Sequence, residues 1–126
     1  MVKGRTFIVS GPSGVGKSTV LKALLERRGD LFFSVSATTR PARPGEIDGI
    51  HYRFLDVETF QEWIARDEFL EYAEFVGNFY GTPREYVYKA MNQGRDVILD
   101  IEIQGALQVS QKMPEAVRIF IAPPSW

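Results

Sequence analysis

The chain has 126 residues, 44% hydrophobic and 25% charged, enough apolar material for one globular unit and not for several. Fifteen basic and sixteen acidic side chains leave a net charge of −1, so nothing supports broad attraction to nucleic acid or an anionic membrane, and any anion site must be local. The absence of cysteine rules out disulfides, thiolate metal sites and cysteine nucleophiles, and with no long apolar segment or cleavage site the expectation is a cytoplasmic protein.

In chain order, Thr6 to Ser10 reads as a first strand with the apolar run Phe7-Ile8-Val9. Lys17 to Arg28 reads as a helix closed by Gly29, with Val20, Leu21, Ala23, Leu24 and Leu25 on its inner face. Between them, Gly11, Pro12, Ser13, Gly14, Val15, Gly16, Lys17, Ser18 and Thr19 fit the pattern G-x-x-x-x-G-K-[ST] without a mismatch. Strand before and helix after are the context in which such a loop turns backbone N–H groups toward phosphate oxygens at a helix N-terminus. Lys17 would reach the outer phosphates and the Ser18 hydroxyl would ligate Mg²⁺. The bland alternative is a glycine-rich turn before an ordinary helix.

Phe32 to Ser36 reads as a second strand. The stretch from Thr38 to Glu46 carries Pro41, Pro44, Gly45, Arg40 and Arg43 and is expected to be an irregular, functional loop. His51 to Leu55 alternates as a short strand, and Asp56 is placed to cap a helix from Val57 to Arg66 with Phe60, Trp63 and Ile64 on one face. Phe69 to Val76 and Phe79 to Tyr80 flank Gly77-Asn78, a hairpin connection. Thr82-Pro83-Arg84-Glu85 combines a capping box with proline at the first helical position, predicting a helix to Asn92 that stops before Gly94.

Asp96 to Ile101 is a nearly continuous apolar strand, followed by a helix near Gly105 to Lys112 and another strand, Val117 to Ala122. The predicted architecture is a doubly wound α/β core with a parallel sheet, residues 1–36 and 89–126, into which a smaller mixed lobe, residues 37–88, is inserted. Ligands of such sheets bind beyond the carboxyl ends of strands, where the phosphate loop, Arg40 and Asp100 all fall. The last strand has no following helix to cover it, so the natural domain is expected to continue past Trp126.

Three groups of residues suggest chemistry. Arg40 and Arg43 present two guanidinium forks with no carboxylate nearby until Glu46, a pattern suited to a phosphate monoester; taken alone, solvated loop arginines are the alternative. Glu71, beside Phe69 and Tyr72, is a carboxylate that could accept two N–H bonds from a planar base edge such as guanine N1 and N2, or could be a surface acid. Asp100 ends a buried strand as the Mg²⁺-holding aspartate of a phosphate-loop enzyme does, with Glu102 on the same side by the period of two; a surface capping acid is the alternative. His51 has no partner suggested by spacing, and without further histidine or any cysteine a transition-metal site is not expected.

With these segments in hand, the chain resembles guanylate kinase, the family that phosphorylates GMP with ATP. The resemblance is carried by Ser10 to Thr19, by Phe33 to Glu46, by Gly49 to Phe54, by Glu68-Phe-Leu-Glu71, by Gly77 to Thr82, by Ile98 to Gly105 and by Phe120 to Pro124. The phosphate loop is shared by many families; the segment Ser36-x-Thr-Thr-Arg40-x-x-Arg43-x-Gly-Glu46 is far more specific.

The resemblance implies a P-loop nucleoside monophosphate kinase fold in which the inserted lobe binds GMP. Ser36, Glu71 and Thr82 would contact the guanine, and Arg40, Arg43, Tyr52 and Tyr80 would hold its phosphate. Asp100 and Glu102 would stand where acceptor, Mg²⁺ and core meet. ATP would lie on Gly11 to Thr19, Ser18 and Asp100 would hold the metal, and Lys17, Arg40, Arg43 and Asp100 would serve the in-line transfer to GMP or dGMP in purine nucleotide metabolism, with no covalent enzyme intermediate. Family members continue into a mobile lid whose arginines clamp ATP and into further core helices. Lacking both, this chain is expected to be weakly active or inactive alone and to self-associate through the uncovered core. Two other readings are a phosphopeptide-binding scaffold module, in which the phosphate loop is typically degraded, and a kinase for another nucleoside monophosphate, whose base would present acceptors that Glu71 repels.

Overall fold

Two apolar runs at opposite ends of the chain, around Ile8 and Leu99, are buried on both faces and form the centre of the molecule. The computed structural model describes residues 3–12 and 16–122, so Ser13, Gly14 and Val15 of the phosphate-loop pattern lie outside the described residues. The elements run β1 (Thr6–Ser10), α1 (Lys17–Arg27), β2 (Phe32–Phe33), β3 (Ala37–Thr38), β4 (Arg53–Phe54), α2 (Val57–Ala65), β5 (Phe69–Phe75), β6 (Asn78–Pro83), α3 (Arg84–Asn92), β7 (Val97–Asp100), α4 (Ile103–Lys112) and β8 (Val117–Phe120).

The fold is α/β, with one parallel sheet and a second, mixed one. The first has the order β2-β7-β1-β8, with Thr6 opposite Val97 and Phe7 opposite Val117. A parallel sheet needs cover on both faces. Val87 and Met91 of α3 and Val109 of α4 pack with Ile8, Val97 and Leu99, while Leu21 of α1 packs with Val9, Leu31 and Ile98. The second sheet, β4-β3-β6-β5, pairs β3 parallel to β4 and antiparallel to β6, and closes with the β5–β6 hairpin. Its core is Phe60 of α2, whose ring centroid lies 4.4 Å from that of Phe69 and 5.4 Å from that of Phe79.

Several elements differ from the sequence expectation, each for a local reason. The α1 stripe is not wholly inward: Leu21 is buried, but Val20 is 52% and Leu24 36% exposed. Leu24 borders an apolar groove of about 210 Å³ with Phe7, Ile98 and Ile119, because β8, paired with β1, ends the sheet among the described residues and is exposed along its length. The expected strands at Phe32 to Ser36 and His51 to Leu55 shrink to β2 and β4, and Thr38, placed by sequence in the irregular loop, belongs to β3. The hairpin turn falls at Val76-Gly77, both at positive φ (50° and 79°), one residue before Gly77-Asn78. A β-branched residue disfavours that conformation. The register, with Glu71 opposite Thr82 and Phe75 opposite Asn78, imposes it.

Helix ends show the same contest. Asp56 caps α2 as expected, its Oδ1 accepting the Thr59 N–H at 2.7 Å. The capping box at Thr82 does not form: Pro83 is still the end of β6, α3 starts at Arg84 with no side-chain cap, and the Thr82 hydroxyl is turned elsewhere. Gly94, at φ 80°, stands just past the end of α3 as predicted. β7 stops at Asp100, so the period-of-two argument does not reach Glu102, which occupies the N-cap position of α4.

Candidate functional site

Glu71 is only 8% exposed and belongs to β5, where it packs closely against Gly105 of α4. A Cβ on Gly105 would stand 3.2 Å from Glu71 Oε2. The other oxygen, Oε1, accepts the hydroxyl of Thr82, its cross-strand neighbour on β6, at 2.8 Å. Burial pushes the Glu71 carboxyl above its ordinary pKa; the Thr82 bond opposes this and the charge of Glu102 adds to it. A carboxylate held in an apolar cleft with one oxygen fixed by a hydroxyl is a directional acceptor for paired N–H donors.

Around it lies a cleft of about 380 Å³ that collects residues from both sheets: Ser36, Tyr52, Glu71, Ala73, Phe75, Tyr80, Gly81, Asp100, Ile101 and Glu102. Six of the residues singled out from sequence thus meet in one place, with Thr82 directly behind Glu71. Tyr52 and Tyr80 stand edge to face at 6.2 Å, and the Arg40 guanidinium carbon is 5.2 Å from the Tyr52 ring centroid. The segment bearing Arg40 is tied to β6: the Thr38 hydroxyl donates to Phe79 O at 2.9 Å and accepts the Arg40 N–H at 3.1 Å.

Arg40 does not stand free as its sequence surroundings suggested. Glu46 takes its Nη1 and Nη2 at 2.9 and 3.0 Å, a bidentate pair. The loop folds back on itself, Gly45 turning at φ 87° and Glu46 N–H donating to Arg43 O. Arg43 is exposed on this loop and is not among the cleft residues; its backbone N–H donates to Glu46 Oε1 at 2.7 Å. His51 is exposed, and its Nδ1 accepts the Ile47 N–H.

The phosphate-loop end is built from β1 and α1. Gly11 and Pro12 follow β1, Gly16 takes φ 93° to enter the helix, and Lys17, Ser18 and Thr19 make its first turn, which carries no acidic residue. No carboxylate in that turn opposes an anion at the positive end of the helix. Lys17 Nζ lies 2.7 Å from Asp100 Oδ1, and both side chains are partly exposed. Ser18 and Asp100 line a second cleft, of about 480 Å³, together with Leu21, Lys22, Leu25, Glu26 and Phe33. Asp100 borders both clefts and is the point at which they meet.

Two residues that shape the site escaped the sequence argument. Glu46 was legible only as the far end of a loop, although an arginine and a glutamate bracketing Pro44-Gly45 is a signal for a turn that joins them. Gly105 was seen as a turn residue; its role is to leave room for Glu71.

Comparison with known proteins gives one answer. The family model for guanylate kinase matches residues 3–126. The guanylate kinase of Syntrophomonas wolfei is 58% identical over 98% of this chain and 63% of its own length, and that of a Thermus thermophilus strain is 56% identical over 98% of this chain and 56% of its own length. The crystal structure of guanylate kinase from Anaplasma phagocytophilum matches with a TM-score of 0.79 at 40% identity, covering 99% of this chain and 63% of that one. The chain therefore spans about 55–63% of the length of these relatives. A match this broad, on a chain whose clefts gather the residues the motifs singled out, means that the chain belongs to the guanylate kinase family.

Proposed function

We propose that this chain carries the donor and acceptor sites for ATP-dependent phosphorylation of GMP, and of dGMP, in cytoplasmic purine nucleotide metabolism. The observation that carries this is the position of Asp100, shared by the Glu71 cleft and the cleft at the start of α1. In this reading residues 37–88 form the acceptor lobe and residues 1–36 and 89–126 the P-loop core. Glu71, with Ser36 and Thr82, accepts the guanine N1–H and N2–H, which is what separates GMP from AMP. Arg40, Arg43, Tyr52 and Tyr80 hold the acceptor phosphate, and Gly11 to Thr19 hold ATP.

The transfer is in line: an oxygen of the GMP phosphate forms a bond to the ATP γ-phosphorus while the bond from that phosphorus to the β-bridging oxygen breaks, its electron pair leaving with ADP. The chain's contribution is to bring two polyanions together, Lys17 and Arg40 offsetting their charge while the clefts fix alignment. The donor set at the start of α1 fits Mg²⁺, since the Ser18 hydroxyl and the Asp100 carboxylate are hard oxygen ligands lining one cleft. When bound, the metal supplies charge neutralisation to the ATP phosphates. Ser18 and Asp100 would hold the metal, which would leave Lys17, paired with Asp100 in this structure, to phosphate oxygens.

The test is calorimetric titration of the chain with GMP and with AMP, with circular dichroism to confirm folding. Selective GMP binding is expected. Preference for AMP, or no binding by a folded sample, would sink the assignment.

A further inference from the structure

We propose that Glu46 is a positioning residue for Arg40, holding the guanidinium by one edge so that its other edge is presented to the acceptor phosphate. This rests on the acceptor-site reading above. It follows from a count of donors. A guanidinium has five N–H bonds in one plane. Nη1 donates to Glu46 Oε1 at 2.9 Å and to Pro41 O at 2.9 Å, and Nη2 donates to Glu46 Oε2 at 3.0 Å. The terminal edge and the inner side of the group are thereby occupied. Among the described residues no hydrogen bond takes the Nε–H or the second Nη2–H, which run parallel and form a fork for two oxygens of a phosphate.

The guanidinium stands beside the cleft. The Arg40 guanidinium carbon lies 5.2 Å from the centroid of the Tyr52 ring, and Tyr52 and Tyr80, edge to face at 6.2 Å, both line the Glu71 cleft. Glu46 is itself anchored: its Oε1 accepts the Arg43 backbone N–H at 2.7 Å, and the turn through Gly45 keeps it under the loop. Arg40 first, and then the Arg43 backbone, hold its carboxyl down at about 2, so it stays ionised wherever the protein is folded near neutral pH. A carboxylate on an anion-binding arginine could instead compete with the phosphate. The donor count favours positioning, because Glu46 takes the terminal edge and leaves the Nε–Nη2 edge to a ligand.

The experiment is calorimetric titration of the wild-type chain, E46A, E46Q, R40A and the double variant R40A/E46A with GMP and with guanosine, which has the base and ribose but no phosphate. E46A is expected to weaken GMP binding about tenfold and E46Q by less, with guanosine binding within about twofold of wild type and the double variant no weaker than R40A alone. GMP binding unchanged or tighter in E46A, while R40A loses the phosphate contribution, would overturn the positioning role and make Glu46 a competitor. A wild-type chain that shows no advantage of GMP over guanosine would overturn the acceptor-site reading, and this inference with it. Guanosine binding reports an intact base pocket in each variant; should E46A fail to fold by circular dichroism, the near-isosteric E46Q gives the decision.

Discussion

Replacing Gly105 by alanine sets two effects of similar size against each other at the residue that packs on Glu71. The position lies in the first turn of α4 without positive φ, so alanine meets no backbone strain and gains up to about 1 kcal/mol of helix propensity. Against this, the new Cβ would lie 3.2 Å from Glu71 Oε2, 3.3 Å from its Cδ and 3.5 Å from its Cγ. Glu71 has little room to retreat, since Thr82 holds its other oxygen at 2.8 Å. Overpacking a filled site costs about 1–3 kcal/mol. The net loss is therefore roughly 0–2 kcal/mol, a fall in Tm of at most about 8 °C. The proposed base site has no such offset: moving the Glu71 carboxylate by a few tenths of an ångström is expected to weaken GMP binding roughly tenfold, given that a displacement of about 1 Å can cost a hundredfold. Thermal melting by circular dichroism and GMP calorimetry on the same sample separate the two. A variant with raised Tm and undiminished GMP affinity would refute the reasoning, because the carboxylate would then yield freely or play no part in reading the base.

Three further outcomes follow from the buried groups. GMP affinity is expected to fall as pH is lowered through the raised pKa of Glu71, since only the carboxylate accepts both guanine donors, and E71Q is expected to flatten the profile; a wild-type pH series with no acid-side loss would contradict this. Stability runs the other way: with the folded pKa above the unfolded one, the contribution of Glu71 is full below the unfolded value and lost as pH rises through the folded value. Phe60→Ala, which empties the fully buried centre of the second sheet between Phe69 and Phe79, is expected to cost about 3–5 kcal/mol in denaturant unfolding, and a loss under about 1 kcal/mol would show that the three rings are not a packed unit.

Much of the fold was legible because local chemistry and tertiary demand agree there. Asp56 caps the helix it was expected to cap, Gly94 ends the next one, and the runs around Ile8 and Leu99 are central because nothing in them suits an edge. Sequence failed where long-range pairing overruled a local preference. Thr82 had a cap to make and instead spends its hydroxyl on Glu71, a partner 11 residues away that only the hairpin register supplies. Val76 is the wrong residue for its turn, and the register put it there. Leu24 has the periodicity of a core residue, but periodicity does not tell how far a sheet extends beneath a helix. At the site, six residues that line the Glu71 cleft could be named from spacing and resemblance, whereas the grip of Glu46 on Arg40 depends on a loop closure that no periodicity encodes.

The parallel sheet joins the two ends of the chain, and this sets an order of assembly. Arg5 is bonded to Asp96 across 91 residues of sequence, while the contacts of the β5–β6 hairpin span about a tenth of that distance, as in the 11-residue link from Thr82 to Glu71. Closing the longer loop costs about 2 kcal/mol more in chain entropy. The hairpin and the helices beside it can form from neighbours alone, and β1 must wait, unpaired on its flanks, until β7 has been made and delivered to it. During synthesis β1 emerges well before β7 and must wait for it, and the phosphate loop attached to β1 acquires its frame only when the strand bearing Asp100 arrives.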